Sequence, residues 1–82
     1  MTPVYRELDT VVQTHDVPAA GLRAGDLRAI VHLLAPEAFE VEFATAAGRT
    51  QALLTLASAD IRPVTDDDLL AVRPASIRHG VA

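Results

Sequence analysis

Cysteine, lysine and tryptophan are missing from this 82-residue chain, and its only aromatic residues are Tyr5, Phe39 and Phe43. Without cysteine there is neither a disulfide framework nor a thiolate zinc site, which favours a cytoplasmic setting. Without lysine there is no Gly-Lys-Ser/Thr phosphate loop. The scarcity of aromatic rings leaves few platforms on which nucleic-acid bases could stack. No stretch approaches the ~18 apolar residues of a membrane-spanning helix. The opening "MTPVYREL" carries charge among its first residues and does not read as a secretion signal. These absences together lead us to expect a cytoplasmic protein with no membrane partner.

What is present suits one small domain. Half of the residues are hydrophobic, enough for a core in a chain that buries about 60% of its unfolded surface. The formal net charge is −4 and all seven basic residues are arginine, a usage that reflects genome composition more than function. An acidic surface repels phosphate backbones, so nucleic acid is a disfavoured partner.

Along the chain, "LDTVVQT" from Leu8 to Thr14 is rich in valine and threonine and predicts a first strand. "HDVPAAGLRAGD" follows as a long loop punctuated by Pro18, Gly21 and Gly25. "LRAIVHLL" predicts a second strand with Leu27, Ala29, Val31 and Leu33 inward, and Arg28, Ile30, His32 and Leu34 outward. "AFEVEFAT" alternates most clearly, placing Phe39, Val41 and Phe43 on one face and Glu40 and Glu42 on the other. A turn at Gly48 leads into "TQALLTL", then a single helical turn in "ASADI" and a short extended "RPV". The expected fold is all-β: a small five-stranded SH3-like barrel over residues 1–64, with Leu8, Val12, Leu27, Val31, Val41, Phe43, Leu54 and Leu56 in its core. Residues 65–82 form the tail. There Thr65 and Asp68 have the spacing of a capping box, and a short helix carrying Leu69, Leu70 and Val72 is expected until Arg73, before Pro74.

The stretch "GLRAGDLRAIV" raises the question of a phosphate loop. Its glycines are spaced G-x-x-x-G and a strand follows, whereas a dinucleotide fingerprint needs G-x-G-x-x-G before a helix. The reading favoured by the residues is a corner: the glycines supply positive φ and Asp26 hydrogen-bonds the turn backbone. With "LDTVV", Asp16-x-Pro18, "GLRAGD", "EVEF", Gly48-x-Thr50, "LTL" and "RPV" in this order, the chain over residues 5–64 resembles a family of small bacterial proteins, domain of unknown function 4926. The resemblance implies an SH3-like fold and transfers no catalytic residues. The family tends to carry glycine two residues after the aspartate. Arg28 stands there in this chain, which weakens any close backbone approach to RNA at the corner.

Catalytic chemistry finds little support. His15, His32 and His79 share no metal-ligand spacing, and "DDD" at Asp66–Asp68 lacks the alternating ligands and central glycine of a calcium loop. Ser58 and Ser76 sit in no nucleophile motif. Glu40 and Glu42 share a strand face at roughly 7 Å, but paired glycosidase carboxylates also need a cleft. We therefore expect a non-enzyme with no cofactor, no metal and no small-molecule substrate. Apolar residues left outside the expected barrel, Ile30, Leu34 and Leu53, together with Leu69, Leu70 and Val72 of the tail, are the candidate interaction patch. The corresponding function is a protein-binding module, self-associating or serving as the antitoxin-like or accessory partner of a larger protein. The alternative is a nucleic-acid-binding SH3-like domain using Arg6, Arg23, Arg28, Arg49 and Arg62.

Overall fold

A computed structural model describes residues 4–75. Ser76 and His79, and the end of the tail, lie outside the described residues. Five strands form: β1 (Thr10–Gln13), β2 (Leu27–Ala35), β3 (Ala38–Ala44), β4 (Thr50–Ala57) and β5 (Ile61–Pro63). They make one antiparallel sheet in the order β4-β3-β2-β1-β5. Short 3-10 turns, Pro18–Ala20 and Ser58–Asp60, replace longer helices.

The expected barrel does not close: β4 and β5 are the two ends of the sheet and do not pair with each other. The sheet is nevertheless forced to bend. Four strand spacings of ~4.8 Å would put the ends of a flat sheet about 19 Å apart. The chain from Ala57 to Ile61 reaches only about 14 Å even when fully extended, and it is wound into a 3-10 turn instead. This short connection bends β5 back toward β4, creating a sheltered inner face.

Register shows which side chains fill that face. Ile30 pairs with Val41, Val41 with Leu54, Phe39 with Leu56, and Gln13 with Ile61. Val11, Ile30, Phe39, Val41 and Ile61 form the central cluster, with Tyr5 and Leu56 packed against it. Tyr5 meets Phe39 edge to face at 5.2 Å between ring centroids. Of the expected core, Val12, Val41 and Phe43 are buried, while Leu54, Leu56 and Val31 are half-buried.

The expected faces of β2 fail at four residues. Ile30 and Arg28 are buried rather than outward, and Leu27 and Leu33, expected inward, are 38% and 45% exposed. Alternation in "LRAIVHLL" favours the wholly apolar set Leu27, Ala29, Val31 and Leu33, but Arg28, Ile30, His32 and Leu34 also include two large apolar residues; pairing of Ile30 with Val41 chooses that second face. A register shift between Ile30 and His32 then sets Leu33 opposite Phe39, as a β-bulge does when it inserts one extra residue. Leu8 is also not core: it is 78% exposed. Its φ of 73° lies in the left-handed region, where a branched side chain is strained. The turn that holds it is closed by the Arg6 N–H donating to Asp9 Oδ2 at 2.9 Å. The first strand accordingly begins at Thr10, not Leu8.

The tail helix is absent. Asp68 does close on Thr65, accepting its N–H at 2.7 Å, but the result is one turn followed by irregular chain. Helix nucleation is costly and isolated helices below ~12–15 residues are marginal; fewer separate Thr65 from Pro74. Arg62 also grips Asp68 through two bonds, of 3.0 and 2.8 Å, tying the turn to β5.

Candidate functional site

The Gly21–Asp26 corner is built by its backbone and two aspartates. Gly21 and Gly25 have φ of 72° and 95°, as the corner reading requires. Asp26 Oδ2 accepts the Arg23 N–H at 2.8 Å, and Asp16 Oδ1 accepts the Ala24 N–H at 2.8 Å. Backbone bonds from Gln13 N–H to Asp26 O (2.9 Å) and from Gly25 N–H to Gln13 O (2.8 Å) fasten the corner to β1. Two acidic side chains therefore occupy the donors that a phosphate loop would offer.

Asp26 has a second task. Arg73, in the tail, donates Nε to Asp26 Oδ1 at 2.9 Å and Nη2 to Asp26 Oδ2 at 2.5 Å. Arg73 Nη2 also donates to the Gly21 carbonyl at 3.1 Å. Partial burial pushes the Asp26 carboxyl up, but these bonds and the Arg23 N–H outweigh it and hold the group below its ordinary range. The tail, from Ala71 to Ala75, thus forms one wall of a groove of about 450 Å³, whose other walls include Leu22, Leu27, Phe43 and Gln51.

Behind Phe43 the sheet carries a polar pair that composition does not reveal. Gln13 and Arg28 are both buried, and neither side chain has a hydrogen-bond partner among the described residues. The Arg28 guanidinium lies 3.7 Å from the centroid of Phe43, a cation–π geometry. Burial pushes its pKa down to about 10, opposed by the charges of Asp26 and Asp60. The arginine remains charged at neutral pH. Two residues after Asp26, this chain places a cation inside the fold. Arg28 is accordingly removed from the surface set considered for nucleic-acid contact. The only sequence signal for its burial is its place two residues from Ile30, on whichever face the sheet encloses.

His15 and Asp60 form another contact, Nε2 to Oδ1 at 2.7 Å. Asp60 also accepts the Ala57 N–H at 2.9 Å, so the pair braces the connection between β4 and β5. The hydrogen bond raises the His15 pKa and lowers that of Asp60.

The candidate patch loses one member. Ile30 belongs to the core, which corrects its assignment to the surface. Leu53 is exposed on β4 opposite Glu42, whereas Leu34 falls in the irregularity between Leu33 and Ala35. Leu69, Leu70 and Val72 are exposed on irregular chain, Val72 at 99%. Glu42 accepts a hydrogen bond from the Thr50 hydroxyl. His32 lies near Glu7, away from His15. Among the described residues there is no group of three or more His, Asp or Glu side chains placed to hold a metal ion, and no helix is long and apolar enough to cross a membrane.

No curated protein and no solved structure matches the chain. One family model does, over residues 7–63, covering the sheet from the turn before β1 to the end of β5 and stopping short of Arg73. The five-stranded body, though not the tail that clips to it, places the chain in the family described as Domain of unknown function (DUF4926).

Proposed function

We propose that the protein is a small, non-catalytic interaction module of the cytoplasm, an accessory partner of a larger protein that it engages through the free edge of β4. The observation that carries this reading is the contrast between the two sheet edges. β5 has three residues, including Pro63, which has no N–H to offer, and Arg62; short length, charge and proline are the usual defences of an edge. β4 has eight residues, "TQALLTLA", with neither charge nor proline. An unprotected edge accepts an added strand, whose main-chain bonds supply affinity while alternate side chains supply selectivity. Leu53, exposed beside that edge, gives such a strand an apolar contact.

Nucleic-acid binding draws less support: Arg28 is buried and Arg62 is engaged by Asp68. The test is co-expression with the products of neighbouring genes. A partner that co-purifies with the unaltered chain should be lost on Leu53→Lys combined with Thr55→Lys, with the circular dichroism unchanged. A complex that survives both substitutions places the interface elsewhere.

A further inference from the structure

A second feature, independent of the β4 edge, concerns the groove at the Gly21–Asp26 corner. We infer that this groove is a binding site for an extended, arginine-bearing segment of a partner protein, and that the chain's own Arg73 is an intramolecular occupant of its Asp26 subsite.

The subsite is made for a guanidinium. Asp26 receives Nε and Nη2 through its two oxygens, and the Gly21 carbonyl receives a further bond from Nη2. This planar fork is the geometry that distinguishes arginine from lysine. Asp26 is itself pre-oriented by the Arg23 N–H, so the acceptor is set by the corner rather than by the tail. Beside it, Leu22, Leu27 and Phe43 offer apolar wall to the residues flanking the arginine. An extended ligand backbone fits the occupant seen: Arg73 precedes Pro74, and a residue before proline is steered away from helix.

Within the groove the occupant's anchor is Arg73, and upstream the tail is tied to β5 by Arg62 and Asp68. Leu69 and Val72 are 94% and 99% exposed, so the apolar residues leading to the anchor add little to its hold. A residue seated in the groove with few flanking contacts is displaceable by a segment that offers the same arginine and better ones. The seated residue lies beyond the family-matched body, residues 7–63, whereas its receptor residues Gly21 and Asp26 lie within it. A chain of net charge −4 also favours approach of a cationic segment.

The test uses the full chain and a labelled peptide of its own residues 67–75, "DDLLAVRPA", followed by fluorescence anisotropy. Arg73→Ala should bind the peptide at least about tenfold more tightly than the unaltered chain, whose tail competes. Asp26→Asn in the Arg73→Ala background should weaken binding by about tenfold or more. Because Asp26 also closes the corner, the peptide bearing Arg73→Lys is a second probe that leaves the protein untouched, and it too should bind more weakly. Absence of binding at millimolar peptide to a folded Arg73→Ala chain overturns the inference, as does binding indifferent to both Asp26→Asn and the lysine peptide. A mass that doubles with concentration, is lost in Asp26→Asn and in Arg73→Ala, and returns on mixing them would assign the groove to a second copy's tail. That result overturns the assignment to a partner protein.

Discussion

On the sheet's inner face, Val11, Ile30, Phe39, Val41 and Ile61 exclude water by packing against one another. Directly beside them, Gln13, paired with Ile61, and Arg28, paired with Val11, are buried to a similar degree, with the guanidinium 3.7 Å from the centroid of the Phe43 ring. Equal burial has opposite energetic meaning in the two groups. Each aliphatic side chain of the first gains about 1.5–3 kcal/mol from leaving water. The cation of the second loses hydration worth several kcal/mol, offset in part by charge attraction and the ring. Burial alone therefore does not identify what holds this fold together; the chemistry of the buried group does.

The comparison can be broken from its strongest side first. Ile30→Ala should lower stability by about 2–5 kcal/mol in urea titration, the range for a truncated core aliphatic. Leu27→Ala, on the expected but unobserved inner face, should cost far less. Similar losses at both positions would mean that β2 is not oriented as described.

For the polar group the sign reverses. Arg28→Met keeps volume against Phe43 and removes the desolvated charge, and should raise stability by ~1–4 kcal/mol or leave it unchanged. A clear loss in the same titration would show that Asp26, Asp60 and the ring more than offset the dehydration, making Arg28 a stabilising residue.

Smaller effects belong to the contacts that brace the sheet from outside. Arg73→Ala should cost less than ~1 kcal/mol, because the pair with Asp26 is partly exposed and screened. Its chemical-shift changes should concentrate at Gly21 and Asp26.

The His15–Asp60 contact should appear as a pH dependence. Folding raises the His15 pKa above its ordinary 6.5 through the bond to Asp60. That contribution is complete below pH 6.5 and is lost as pH rises through the higher folded value. Folding lowers Asp60 below its ordinary 3.8, chiefly through His15, so its share is present above 3.8 and is lost as pH falls through the lower folded value. His15→Gln should flatten the neutral-side slope of stability against pH; an unchanged slope would assign it to another group.

Much of the body is legible in the sequence alone. Phe39, Val41 and Phe43 alternating with Glu40 and Glu42 leave β3 one stable orientation, because only one face can be buried without burying carboxylates. Gly21 and Gly25 marked bends, Asp26 was placed as a turn acceptor, and Gly48 separated two strands, since local chain stereochemistry demands those residues there. Ordered short motifs along the chain also led to the family. The face of β2 was not legible, because its apolar residues satisfy either orientation until Ile30 meets Val41. Nor was the open sheet, since strand lengths do not say whether the two ends pair. The tail shows the limit most directly: Thr65 and Asp68 have helix-capping spacing, and tertiary structure instead gives Asp68 to Arg62. Arg73 and Asp26, far apart along the chain, meet only because the fold returns the tail across the groove. Residue chemistry and near-neighbour spacing determine strands and turns; the choice between two faces that both carry large apolar residues, and partners for charges distant in sequence, are made by the contacts that folding creates.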